Sequence, residues 1–140
     1  MHITDLPFNQ LIGLSVSDSP AYLLKLNHDD KYTNHVNSVH AAALFALAEG
    51  SCGHFLQLNF AAEAKDMFPL LRKSEVKYKK PAIGAIYSQV GIVGGDINSV
   101  KNDLLEKPRL SLVLKVDLFD ENKLLVFQGE FEWFVSKMST

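Results

Sequence analysis

A single carboxylate closes an almost wholly apolar run. From Val39 to Ala48 the chain is built of small and apolar residues around His40, and Glu49 follows, then Gly50, Ser51, Cys52 and Gly53. Alanine and leucine favour helix, and a helix apolar on every side has no face for water. The stretch therefore predicts a buried helix with Glu49 inside the protein. Burial raises a carboxylate's pKa toward the range useful for proton transfer near neutral pH, which suits a general base or, less readily, a nucleophile. The start of such a helix adds unpaired N–H groups and a positive dipole end, a natural place for developing negative charge. The structural alternative is a buried carboxylate satisfied by Asn34, Asn37 or a partner chain.

Around this helix the chain predicts short elements before it and longer strands after it. Residues 4–12 suit a short helix, with Thr4 or Asp5 as cap, Pro7 in the first turn and Gly13 at the end; Leu6, Leu11 and Ile12 would pack inward. Leu14 to Val16 and Tyr22 to Leu26 suit two strands joined through Asp18-Ser19-Pro20, and residues 27–37 suit a polar loop. Asn37 or Ser38 would cap the central helix. Ser74 to Lys80 alternates as a half-buried strand with Val76 and Tyr78 on one face, broken by Pro81. Ile83 to Val93 is a further strand, and Asp96 to Pro108 a polar insert with one helical turn around Asp103 to Glu106. Leu110, Leu112, Leu114, Val116 and Leu118 share one face; Leu125, Phe127, Phe131, Trp133 and Val135 share another. Asp120 to Lys123 is turn chemistry between them, so these runs form an antiparallel hairpin. The expectation is α+β: one long central helix wrapped by a curved antiparallel sheet of about six strands, in a single domain over residues 1–140.

Composition narrows the function classes. In 140 residues, 47% hydrophobic and 21% charged residues are those of a soluble globular chain, and a net charge of -2 gives no reason to expect nucleic acid or an anionic membrane. The lone Cys52 cannot form an internal disulfide and fits a reducing, cytoplasmic setting. There is no signal-peptide pattern, and Glu49, His54, Gln57 and Asn59 interrupt the one stretch that could resemble a membrane span.

These residues and their order resemble the hotdog-fold acyl-CoA thioesterases, nearest to the branch that includes the phenylacetate-pathway enzymes. Members carry an Asn, then His-Gly-Gly six residues on, then Leu-Phe-x-Leu-Ala-Asp; this chain has Asn34, His40-Ala41-Ala42, then Leu44-Phe45-Ala46-Leu47-Ala48-Glu49. Tyr78-Lys79-Lys80-Pro81-Ala82 falls where those proteins have a strand ending in a Pro-Ala break. The resemblance implies thioester hydrolysis, with Glu49 as base or nucleophile and the Ala41 N–H as oxyanion donor. Asn34 would orient water or polarise the carbonyl, and His40 would position the loop or bond the thioester. Ala42, Lys79 and Lys80 would touch substrate. The Gly-Gly pair is replaced by Ala41-Ala42, the Asp by Glu49, and the Ser or Thr that some relatives place before the Pro segment by Leu71.

The resemblance further implies an acyl-CoA or acyl-carrier thioester as partner, no cofactor, and a homodimer or homotetramer formed by sheets joined edge to edge. A hotdog hydroxyacyl-thioester dehydratase is the alternative enzyme, set lower by the missing Pro-Gly pair; a non-catalytic acyl-ligand module is the other. Each site residue also has a plainer role. His40 could cap the helix, Asn34 could be a turn residue, Cys52 could be a small buried side chain, and the basic run Arg72 to Lys80 could be a solvated strand face rather than a contact for coenzyme A phosphates. His35, His40 and His54 match no zinc spacing, and Gly91 to Gly95 lacks the context of a dinucleotide site.

Overall fold

The computed structural model describes residues 2–137. A 3-10 turn at Ile3–Asp5 leads into helix α1 (Pro7–Ile12), strands β1 (Leu14–Val16) and β2 (Leu24–Leu26), and the long helix α2 (Ala41–Phe60). Strand β3 (Met67–Tyr78), β4 (Ile86–Ile92), helix α3 (Ile97–Glu106), β5 (Arg109–Phe119) and β6 (Leu125–Lys137) follow. The six strands form one antiparallel sheet in the order β1-β2-β4-β5-β6-β3. The sheet curls round α2, giving the expected hotdog architecture.

The period-2 pattern of the last hairpin explains most of the core. Leu112, Leu114, Val116 and Leu118 from β5 are buried against α2 together with Phe127, Phe131, Trp133 and Val135 from β6. Asp120 makes the connecting turn, its Oδ1 accepting from the Asn122 and Leu124 N–H groups. Two glycines on α2 let the chain's first residues lie close: a Cβ on Gly50 would stand 2.6 Å from Leu14 Cδ1, and one on Gly53 2.5 Å from Ile3 Cδ1. The Ile3 N–H donates to Gln57 Oε1 and Asn9 Nδ2 donates to Ile3 O, fastening that segment to the helix.

Several expectations are corrected. The insert after β4 is a ten-residue helix, α3, rather than one turn; Asp96 and Ser99 form a capping box at its start, and Val100 and Leu104 are buried on one face at i, i+4 spacing. Its polar composition concealed that stripe. The first helix begins at Pro7 with Leu6 before it, neither Thr4 nor Asp5 capping it, and Leu11 is 73% exposed while Asn9 is buried. Strand β3 starts at Met67 and is mostly exposed on both faces, not half-buried. Helix α2 is not covered all round: Ala41, Ala42, Gln57 and Leu58 are exposed, and Glu49 is half-buried rather than enclosed.

Candidate active site

The head of α2 is where backbone chemistry is available. His40, not Asn37 or Ser38, is the N-cap: its ring Nδ1 accepts from the Ala42 N–H at 3.0 Å, and its carbonyl accepts from Ala43 and Leu44. An Nδ1 acting as acceptor leaves the ring proton on Nε2. The N–H of Ala41 lies between these bonds and has no acceptor among the described residues. It is one of the orphan donors every helix start leaves, here at the positive end of a twenty-residue helix. The loop carrying it is pinned twice, by His40 N–H to Tyr32 O and Val39 N–H to Ala82 O, both 2.7 Å.

Asn34 holds the turn before the helix. Its Oδ1 accepts from the Val36 and Ser38 N–H groups, each at 3.0 Å, and its Nδ2 donates to Ser38 Oγ at 3.0 Å. Asn37 has a left-handed φ of 59°, which this short turn requires and asparagine tolerates. Ser38 is buried and occupied by that turn, which is why it does not cap the helix.

An open cavity of about 280 Å³ lies against this helix start. Asn34, Ala41, Leu44, Tyr78, Lys79 and Lys80 are among its walls. The fold thus brings together four of the residues singled out from sequence. His40 and Ala42 are exposed beside the opening but are not part of its lining, and Glu49 is absent from it. Tyr78 was not among the sequence candidates. The signal was present: alternation along β3 puts Tyr78 on the face of Val76, toward the helix.

Glu49 is eight residues after Ala41, about 12 Å along a helix rising 1.5 Å per residue. Long helical side chains lean back over the preceding turn, so Glu49 reaches toward Phe45 and falls short of the Ala41 N–H. Its carboxylate has no hydrogen bond or ion pair among the described residues, and burial raises its pKa above the ordinary 4.5. Neither Asn34 nor Asn37 satisfies it. A lone, partly desolvated carboxylate with nothing bonded to it is free to take a proton.

Cys52 sits one turn further along, fully buried, its thiol pushed up to about 12 chiefly by that burial. It is inert packing. The native protein should therefore show no fast-reacting thiol toward iodoacetamide, and one per chain after denaturation; mass spectrometry of the alkylated chain reads both. Lys79 and Lys80 are exposed, and the strand before them is mostly solvated. No group of metal-ligating side chains occurs among the described residues. No helix is long and apolar enough to cross a membrane.

The family described as Domain of unknown function (DUF4442) matches residues 14–135. The chain belongs to the DUF4442 family. The match spans β1 through Val135 of β6 and so includes α2 and the cavity. Among solved structures, this DUF4442 chain is similar to PA5026 from Pseudomonas aeruginosa, a protein of unknown function named a probable thioesterase. The two share 22% identity over 97% of this chain and 91% of that one, with a TM-score of 0.80. It is also similar to a mutant of the thioesterase SAV0944 from Staphylococcus aureus, at 14% identity, 92% and 98% coverage and a TM-score of 0.69. BH2602 from Bacillus halodurans, solved with CoA, aligns at 15% identity over 80% of this chain and 69% of its own, with a TM-score of 0.64. At these identities the likeness is one of fold. No curated protein matches this sequence.

Proposed function

We propose that this DUF4442 chain hydrolyses acyl thioesters, with sites completed between two copies of the chain. The observation that carries the reading is the unpaired Ala41 N–H at the head of α2, opening on a cavity that excludes the chain's own unpaired carboxylate, Glu49. A donor and a base about 12 Å apart cannot serve one carbonyl. A second copy supplies the missing half if the chains pair so that Glu49 of each faces the helix start of the other. Strand β3 offers the means: among the described residues it bonds β6 on one side and no strand on the other, and Leu70 on it is 60% exposed. A two-fold pairing of such edges is self-complementary and creates two equivalent sites.

In this site Glu49 takes a proton from water as the water oxygen attacks the thioester carbon. The carbonyl electron pair moves onto oxygen, where the Ala41 N–H stabilises the charge. Collapse of that intermediate breaks the carbon–sulfur bond, and the departing thiolate takes the proton from Glu49, leaving a carboxylic acid and a thiol. His40 keeps Ala41 available by occupying the neighbouring Ala42 N–H, and Asn34 holds the turn in place; Ala42 contributes a methyl beside the opening. Lys79 and Lys80 at the cavity wall suit the phosphates of coenzyme A, a carrier present in the structure of one fold neighbour. The substrate is then an acyl-CoA or acyl-carrier thioester.

The test is a panel of acyl-CoA thioesters from acetyl to palmitoyl, with release of thiol followed by a trapping reagent, and hydration of crotonyl-CoA followed in parallel. Thiol release supports the reading. Hydration without thiol release assigns the site to a dehydratase, and the absence of both to a binding module. Since Glu49 must be ionised to act and its pKa is raised from 4.5, kcat/KM should climb with pH along a limb whose midpoint lies above 4.5. A pH–rate profile checks this.

A further inference from the structure

We infer that the phenol of Tyr78 is the second hydrogen-bond donor to the thioester carbonyl, one of the two roles that the family resemblance offers Asn34. The inference rests on the hydrolase reading above and deepens it. An oxyanion is held well by two donors aimed at the place where charge develops, and one backbone N–H supplies only one. Asn34 is badly placed for the task, because its carbonyl oxygen accepts two backbone N–H groups and its amide nitrogen donates to Ser38 Oγ. Releasing it would open the turn that leads into the helix.

Tyr78 has no such commitment. It ends β3 on the concave face, and its ring lies edge-on to the buried Phe127, with centroids 5.3 Å apart and planes at 74°. That contact fixes the ring while its hydroxyl makes no hydrogen bond among the described residues. It lines the same cavity as Ala41 and Leu44 and is 48% exposed. Partial burial also raises the phenol pKa above its ordinary 10, so it stays protonated, and a donor, throughout the working range. The following residues keep the strand end in place: the Lys79 and Lys80 N–H groups both bond Val126 O.

Tyr78→Phe removes only the hydroxyl and keeps the ring against Phe127. On whichever acyl-CoA the panel identifies, it should lower kcat ~10- to 100-fold with KM within about twofold of wild type, as loss of a donor that acts on the transition state requires. If Tyr78→Phe leaves kcat unchanged, or raises KM alone, Tyr78 is not the donor while the hydrolase reading stands. A wild-type chain that releases no thiol overturns both.

Discussion

Glu49→Gln should abolish most thioester hydrolysis, by a hundredfold or more, while leaving the fold and the assembly intact. Glutamine keeps the size of the side chain and cannot accept a proton from water, so the loss isolates the base. The stability change has a definite sign. The folded pKa of Glu49 lies above 4.5, so across the interval between the unfolded and folded values the native state binds more protons than the unfolded one, and stability falls as pH rises through it. At neutral pH the native protein carries that penalty and Glu49→Gln does not. The variant should therefore melt at the same temperature as wild type or higher at pH 7, a difference that shrinks as pH falls toward 4.5. A variant that is both inactive and less stable would point to a structural carboxylate instead. Steady-state rates and pH-dependent thermal melts together decide.

The second large effect comes from the backbone. Ala41→Pro deletes the proposed oxyanion donor without removing any hydrogen bond, because the Ala41 N–H has no acceptor among the described residues. Proline is at home in the first position of a helix, and His40 before it already has φ -59° and ψ 139°, the region a residue preceding proline prefers. The helix should form as before, and hydrolysis should fall ~10²- to 10³-fold, the usual consequence of losing one oxyanion donor. Ala41→Gly keeps the N–H and should keep the activity.

Pairing these two variants tests where the site is built. If each site takes Glu49 from one chain and the Ala41 N–H from the other, a mixed dimer of Glu49→Gln and Ala41→Pro chains has one intact site of two. Equal amounts refolded together should then recover about a quarter of wild-type activity, since half the dimers are mixed. A site contained in one chain predicts no recovery at all. Size-exclusion chromatography of each variant alone confirms that assembly is unchanged.

The elements whose physics is local were legible from the residues. The run of alanines and leucines announced the central helix, and strict alternation in residues 110–118 and 125–135 announced the hairpin that covers it, because the side-chain period reports directly which face is buried. Helix α3 was missed because its apolar stripe consists of two residues, Val100 and Leu104, in a polar background. The cap was misplaced because Asn37 and Ser38 are the stronger capping residues by type; the Asn34 turn consumes Ser38 and leaves the role to His40. Strand β3 alternates as a half-buried strand should, yet at the edge of the sheet, with only β6 beside it, its apolar positions have little to pack on.

By itself the sequence determined a buried helix bearing one acid and the sheet that wraps it, since hydrophobic period and burial follow from residue type and order. It also marked Glu49, because a charge inside an apolar run is conspicuous from residue type and position alone. Only the tertiary structure decided which donors around the helix start remain free. Whether the Ala41 N–H or the Asn34 amide is available depends on which neighbours have already claimed their partners. That is a matter of distances between segments far apart in the chain, and no spacing within the sequence contains it. The separation of Glu49 from Ala41 is the opposite case: eight residues on one helix put them two turns apart, and that follows from the sequence spacing alone.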